Sequence, residues 1–76
     1  MCRHPRPVPL FNPPPPGDTE ARLAALLRHQ ADFVACPDCG AVGYRGRSRN
    51  RWGLLLADKV KADAAEWNAR YPAAVT

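Results

Sequence analysis

Apolar residues fall at helical spacing in two stretches of the chain. In the first, Leu23, Leu27, Gln30 or Ala31, and Val34 recur every three or four positions, with Leu26 and Phe33 widening the stripe. The pattern predicts a helix from about Asp18 to Ala35. Asp18 follows Gly17 and offers a carboxylate to the orphan amides of a first turn, Glu20 lies where the helix end is positive, and Pro37 forbids continuation. The second stripe is Trp52, Leu56, Val60, Ala64, Trp67 and Tyr71, with Leu55 beside it. It predicts a helix from about Arg51 to Tyr71, capped by Asn50, with Arg70 at its negative end and Pro72 beyond the last periodic residue. The two stripes are expected to pack on each other. Between the helices, Ala41-Val42-Gly43-Tyr44 alternates weakly and suggests a short strand. The expected fold class is mostly α.

The polar and proline-rich ends divide the chain. Residues 1–17 contain most of the nine prolines and cannot be helical, because proline lacks the amide donor and clashes in a helix interior. They predict an extended, polyproline-like arm. Residues 18–71 form the expected two-helix domain and 72–76 a tail. Composition makes this picture fragile. Seventy-six residues bound a single small domain, there is no isoleucine, and much of the 46% hydrophobic content is alanine. So thin a core predicts a staple. No apolar run approaches the roughly eighteen residues of a membrane span, and no apolar leader is evident, which predicts a cytoplasmic protein, in a bacterial host. Three cysteines in that compartment point to metal or redox chemistry rather than a disulfide framework.

The staple is sought at Cys36-Pro37-Asp38-Cys39-Gly40. A two-residue gap lets both thiolates face one ion, proline presets the bend, and glycine permits the left-handed backbone after it. These five residues resemble the zinc knuckles of zinc-ribbon and treble-clef domains. The resemblance implies one Zn2+ at Cys36 and Cys39. Such domains repeat the pair downstream, but no cysteine or histidine follows Cys39 here, so further ligands must come from upstream. Cys2 and His4 are two apart and point the same way on an extended arm. The predicted first helix is about 27 Å long at about 1.5 Å per residue. Fifteen extended arm residues reach about 46 Å at about 3.1 Å each, enough to run back along it. The candidate set is Cys2, His4, Cys36 and Cys39, with His29 as the substitute for His4. A redox role fits less well, since reactive cysteine pairs sit at a helix N-terminus and this pair follows a predicted C-terminus, whose dipole raises the thiol pKa.

Charge is concentrated in one heptapeptide. Arg45, Arg47, Arg49 and Arg51 alternate with Gly46, Ser48 and Asn50, and outside them seven basic residues face seven acidic ones, so the net charge of +4 resides there. An extended comb would space the guanidinium groups about 6.6 Å apart at about 3.3 Å per residue. That row suits the phosphates of DNA or RNA, with Tyr44 and Trp52 flanking it to stack on bases, and it equally suits carboxylates of an acidic protein surface. No His-acid-nucleophile set, phosphate loop or paired carboxylates are evident, and Asp58, Asp63 and Glu66 share their face with Lys59 and Lys61. The expectation is a non-enzymatic protein without a small-molecule substrate: two helices joined by a zinc knuckle and basic loop. In size, local charge and style it resembles the small transcription regulators that bacteriophages make against host RNA polymerase. That resemblance implies polymerase as partner. The alternatives are a stand-alone, nonspecific nucleic-acid-binding zinc protein and an adaptor or inhibitor unrelated to transcription.

Overall fold

The computed structural model describes residues 2–54 and 56–73. Its elements run β1 (Val8–Pro9), α1 (Thr19–Leu27), a 3₁₀ turn (Gln30–Asp32), β2 (Phe33–Ala35), β3 (Val42–Tyr44), β4 (Arg51–Trp52) and α2 (Ala57–Arg70). The strands form one antiparallel sheet in the order β1-β2-β3-β4. The domain is therefore α+β, and the expectation of a mostly α fold is corrected.

Each expected helix loses one end to the sheet. Asp18 does cap α1, its Oδ1 accepting from the Ala21 N–H at 3.0 Å. The helix stops at Leu27, however, and His29 takes a left-handed φ of 53° that turns the chain away. Phe33 and Val34, aromatic and β-branched, then enter a strand held on both edges. Pro9 lies opposite Val34 on one side, and Gly43 on the other. The second helix begins at Ala57 rather than Arg51, because Arg51 and Trp52 pair with β3 as β4. Asn50 is not its cap; Leu56 holds that position without a side-chain bond. Its far end is as expected, with Arg70 in the last turn and Pro72 two residues on. The strand expected within 41–44 is present as β3. Leu55 and the end of the tail, 74–76, lie outside the described residues.

The core forms where the arm meets both helices. Phe11 of the arm, Ala21 of α1, and Ala64 and Trp67 of α2 are buried together, with Phe33, Val60 and Tyr71 packed against them. The helices thus meet through the alanine face of α1. The leucine face expected to be buried is exposed: Leu23 by 57%, Leu26 by 75% and Leu27 by 70%, with Leu56 of the second stripe at 66%. The physical reason is the arm. Phe11 occupies the space beside Trp67, and a small Ala21 lets both rings approach the helix. Four hydrogen bonds fasten the arm to α2. The Trp67 indole N–H donates to the Asn12 carbonyl at 2.9 Å, and the Asn12 amide N–H donates to Asn68 Oδ1 at 2.7 Å. Asn12 Nδ2 donates to the Tyr71 carbonyl and Asn68 Nδ2 to the Leu10 carbonyl, both at 3.0 Å. At about 0.5–1.5 kcal/mol each, they hold the proline-rich segment as part of the domain. Among the described residues, no helix is long and apolar enough to cross a membrane.

Candidate metal centre

The hairpin between β2 and β3 carries the cysteine turn. Ala35 pairs with Val42, the Cys36 N–H donates to the Ala41 carbonyl at 2.9 Å, and the Gly40 N–H donates back to the Cys36 carbonyl at 2.8 Å. Gly40 completes this closure at a φ of 75°, where a Cβ is disfavoured. The turn presents Cys36 and Cys39 beside each other. The other ligands arrive by strand pairing. Val8 lies opposite Ala35 and Pro9 opposite Val34, so the same antiparallel register carried outward sets residue 4 level with residue 39. The arm therefore returns along β2, not along a helix as expected.

Four donor atoms converge there. Cys2 Sγ is 3.5 Å from Cys36 Sγ, and His4 Nδ1 is 3.4 Å from Cys39 Sγ. The ligand atoms of Cys2, His4, Cys36 and Cys39 all lie within 4.8 Å of one another. A tetrahedral thiolate–imidazole site, with metal–sulfur bonds of about 2.3 Å and metal–nitrogen bonds of about 2.05 Å, has edges of about 3.8 Å (S–S) and about 3.6 Å (S–N). The two short contacts match those edges, and the widest separation needs about 1 Å of closure. The cluster can hold one metal ion.

Its surroundings orient the imidazole. His4 stacks on Trp52, ring centroids 4.1 Å apart and 24° from parallel. Its φ of 52° is uncommon for a residue with a Cβ and costs about 1–2 kcal/mol, so the fold holds the ring here against local preference. The His4 backbone N–H points to Cys2 Sγ at 3.4 Å. Trp52 in turn lies over Gly43, its cross-strand partner, where a Cβ would come within 2.8 Å of the indole.

Electrostatics favour a thiolate in the middle of the cluster. The His4 imidazole pulls the Cys36 thiol down to about 6, helped by the backbone N–H groups of Cys39 and Asp38 and opposed by burial. Cys36 is fully buried, at 1% exposed. At Cys2, the His4 N–H favours the thiolate, but the neighbouring Cys36 and Cys39 and partial desolvation outweigh it and push the thiol up. The expected upward pull of a helix C-terminus on the pair is corrected: a strand precedes Cys36, not a helix. Arg6 approaches Asp38 at 3.7 Å beside the turn, both side chains well exposed, a pair of little energetic weight.

The remaining candidates do not join this cluster. His29 stays on the far side of the 3₁₀ turn, 70% exposed, its Nδ1 3.8 Å from Asp32 Oδ2. Arg45, Arg47 and Arg49 are exposed on the loop between β3 and β4, and Arg51 is exposed on β4 itself. The expected extended comb is corrected, because residues 47–49 form a bend and Gly46 packs against the Arg49 carbonyl so closely that a Cβ would collide. The backbone that carries the four arginines is thus not one extended run. The two flanking aromatics are engaged internally. Tyr44 meets the edge of Phe33 at 5.3 Å and its hydroxyl reaches Asp32 at 3.4 Å, while Trp52 is stacked on His4. Sequence reasoning missed Gly43 and the Asn12–Asn68 clasp. A glycine inside an alternating strand pattern is the signal for the first; two isolated asparagines give no such signal.

No family model matches this chain, and neither the curated proteins nor the solved structures compared with it yielded a match.

Proposed function

We propose that the chain is a non-enzymatic binding module stapled by one Zn2+ at Cys2, His4, Cys36 and Cys39. The observation that carries this is the convergence of four ligand atoms within 4.8 Å from two segments more than thirty residues apart. Three thiols and one imidazole are the donor set that tetrahedral zinc favours. Four protein ligands leave no open coordination position, which makes the ion structural rather than catalytic. The staple then suits what the domain lacks, since among the described residues only seven hydrophobic ones are buried. Elemental analysis of protein purified without added metal tests it: one zinc per chain is expected, with loss of the folded circular-dichroism signal on chelation. Metal-free protein that is fully folded would refute the staple.

The partner in this reading is an acidic protein surface gripped by Arg45, Arg47, Arg49 and Arg51. The bend at 47–49 supports a protein over a nucleic-acid backbone, because a curled loop offers no regular row to phosphates. Bacterial RNA polymerase is the first candidate, on the likeness in size and charge to phage regulators alone. Immobilised protein should retain polymerase from nuclease-treated bacterial lysate, and should lose it when the four arginines are replaced by glutamine. Loss of all partners on nuclease treatment would instead select the nucleic-acid reading.

A further inference from the structure

The leucine face that the core does not use borders a groove. It has a volume of about 670 Å3 and lies between the arm and α1, away from the metal cluster. Phe11, Pro13, Leu23 and Leu26 line it, and Leu23 and Leu26 are more than half exposed. In a chain so short of large apolar side chains, leaving these two in water is a selective arrangement. The charged residues of the groove are of one sign. Arg22 and Arg45 line it, and among the described residues no carboxylate does. Gln30, only 5% exposed, also contributes to the lining, and its Oε1 finds no hydrogen-bond donor among the described residues.

We propose that this groove binds an acidic amphipathic peptide segment of a protein partner. Apolar side chains of the segment sit on Phe11, Leu23 and Leu26, and its carboxylates pair with Arg22 and Arg45. Guanidinium groups beside an apolar slot select carboxylate-bearing, partly apolar ligands by charge complementarity and reject basic ones. A second copy of this chain fits poorly. A two-fold contact through the groove would press together two patches that each carry Arg22 and Arg45 and no carboxylate, in a protein of net charge +4. The proposal rests on the binding-module reading and adds to it a site and a ligand chemistry.

The test uses the full zinc-loaded chain, isotopically labelled, and a synthetic peptide of about twelve residues. The peptide carries leucines at i, i+3, i+4 and i+7 and glutamates elsewhere, the pattern of a helix laid in a groove. Amide shifts at Leu23, Leu26, Gln30 and Arg45 are expected, with no binding by a version whose glutamates are lysines. Leu26→Asp, at a position 75% exposed and outside the core, should weaken binding by about tenfold or more without changing zinc content. Arg22→Glu combined with Arg45→Glu should transfer binding to the lysine peptide. Shifts confined to the metal turn or to residues 46–50, equal affinity for both peptides, or indifference to Leu26→Asp would overturn the proposal. So would self-association that Leu26→Asp abolishes, which would assign the groove to a second copy. Retention of polymerase by the wild-type chain is scored separately, so a failed groove and a failed binding-module reading give different results.

Discussion

Gly43→Ala tests the link between the sheet and the metal centre with a single methyl group. A Cβ at position 43 would stand 2.8 Å from the Arg51 carbonyl oxygen, 2.8 Å from Trp52 Cε3 and 2.9 Å from Trp52 Cδ2. Ordinary contact begins near 3.4 Å, so β3 and β4 must separate by on the order of half an ångström or the indole must slide. Neither neighbour is the loose end of a flexible side chain. One is backbone, and the other is a rigid ring with His4 stacked on it at 4.1 Å. Overpacking of this kind costs about 1–3 kcal/mol. Displacing a group that orients a metal ligand lowers affinity by about 10- to 100-fold. The expected outcome is both losses together: a lower urea midpoint for the zinc-loaded protein, and weaker zinc retention against a chromophoric chelator. Gly17→Ala is the control, since a Cβ there meets nothing within 4 Å and the backbone is not left-handed. It should be neutral or stabilising by a few tenths to about 1 kcal/mol through the unfolded chain. Trp52→Ala should reproduce the zinc loss, and adding Gly43→Ala to it should cost less than Gly43→Ala alone, because only the Arg51 carbonyl clash remains. If Gly43→Ala matches Gly17→Ala in both stability and zinc affinity, the reasoning from Gly43 through Trp52 to His4 is wrong.

Three further outcomes follow from the same geometry. His4→Ala should lower zinc affinity steeply while His29→Ala leaves it unchanged, read by the same chelator competition; the reverse result would move the fourth ligand to His29. Phe11→Ala removes a ring that is 9% exposed at the centre of the core and should cost about 3–5 kcal/mol in urea unfolding, against well under 1 kcal/mol if the arm were a detached tail. Zinc retention by the folded protein should weaken as pH falls through about 6, where the Cys36 thiolate that His4 favours in the folded turn takes up its proton; chelator competition above and below that value reads it, and retention independent of pH across that range would contradict the assignment.

What the chain discloses in one dimension follows from how local each signal is. The Cys/His cluster is legible because a cysteine pair in a proline–glycine turn is a chemical feature of five neighbouring residues, and the scarcity of other donors leaves few choices for the rest. Asp18, Arg70 and Pro72 mark helix ends by equally local rules. The strands are illegible for the converse reason. Two or three residues span less than one helical turn, so Phe33 and Val34 satisfy a helical stripe as readily as a strand, and only their partners on β1 and β3 decide. Periodicity favours burial of the leucine stripe, and a distant competitor takes its place in the core. Phe11 sits in a proline-rich segment with no periodicity of its own, and Asn12 clasping Asn68 and Tyr71 brings it to Trp67.

That competition ties the Cys/His cluster and the core into one unit. The arm supplies Cys2 and His4 to the cluster at one end and Phe11 to the core at the other, with only β1 between them. β1 is two residues long and one of them is Pro9, which donates no ladder hydrogen bond, so strand pairing alone holds the arm weakly. Ordering from residue 2 to residue 12 is therefore sustained from its ends. With an ion bound at the cluster, its removal would free Cys2 and His4, loosen the stack on Trp52, and leave Phe11 restrained mainly through the Asn12 clasp. Breaking the clasp in turn lengthens the loop that the metal must close, although loop-closure entropy grows only slowly, by about 0.6 kcal/mol per doubling of length. The larger penalty is the loss of Phe11 from a core with few other large side chains. The same displacement that makes the arm indispensable to the core leaves Leu23 and Leu26 unburied. The exposed face of α1 is thus a consequence of packing the N-terminal arm into the domain, and a chain built this way keeps an apolar surface in water without giving up its own core.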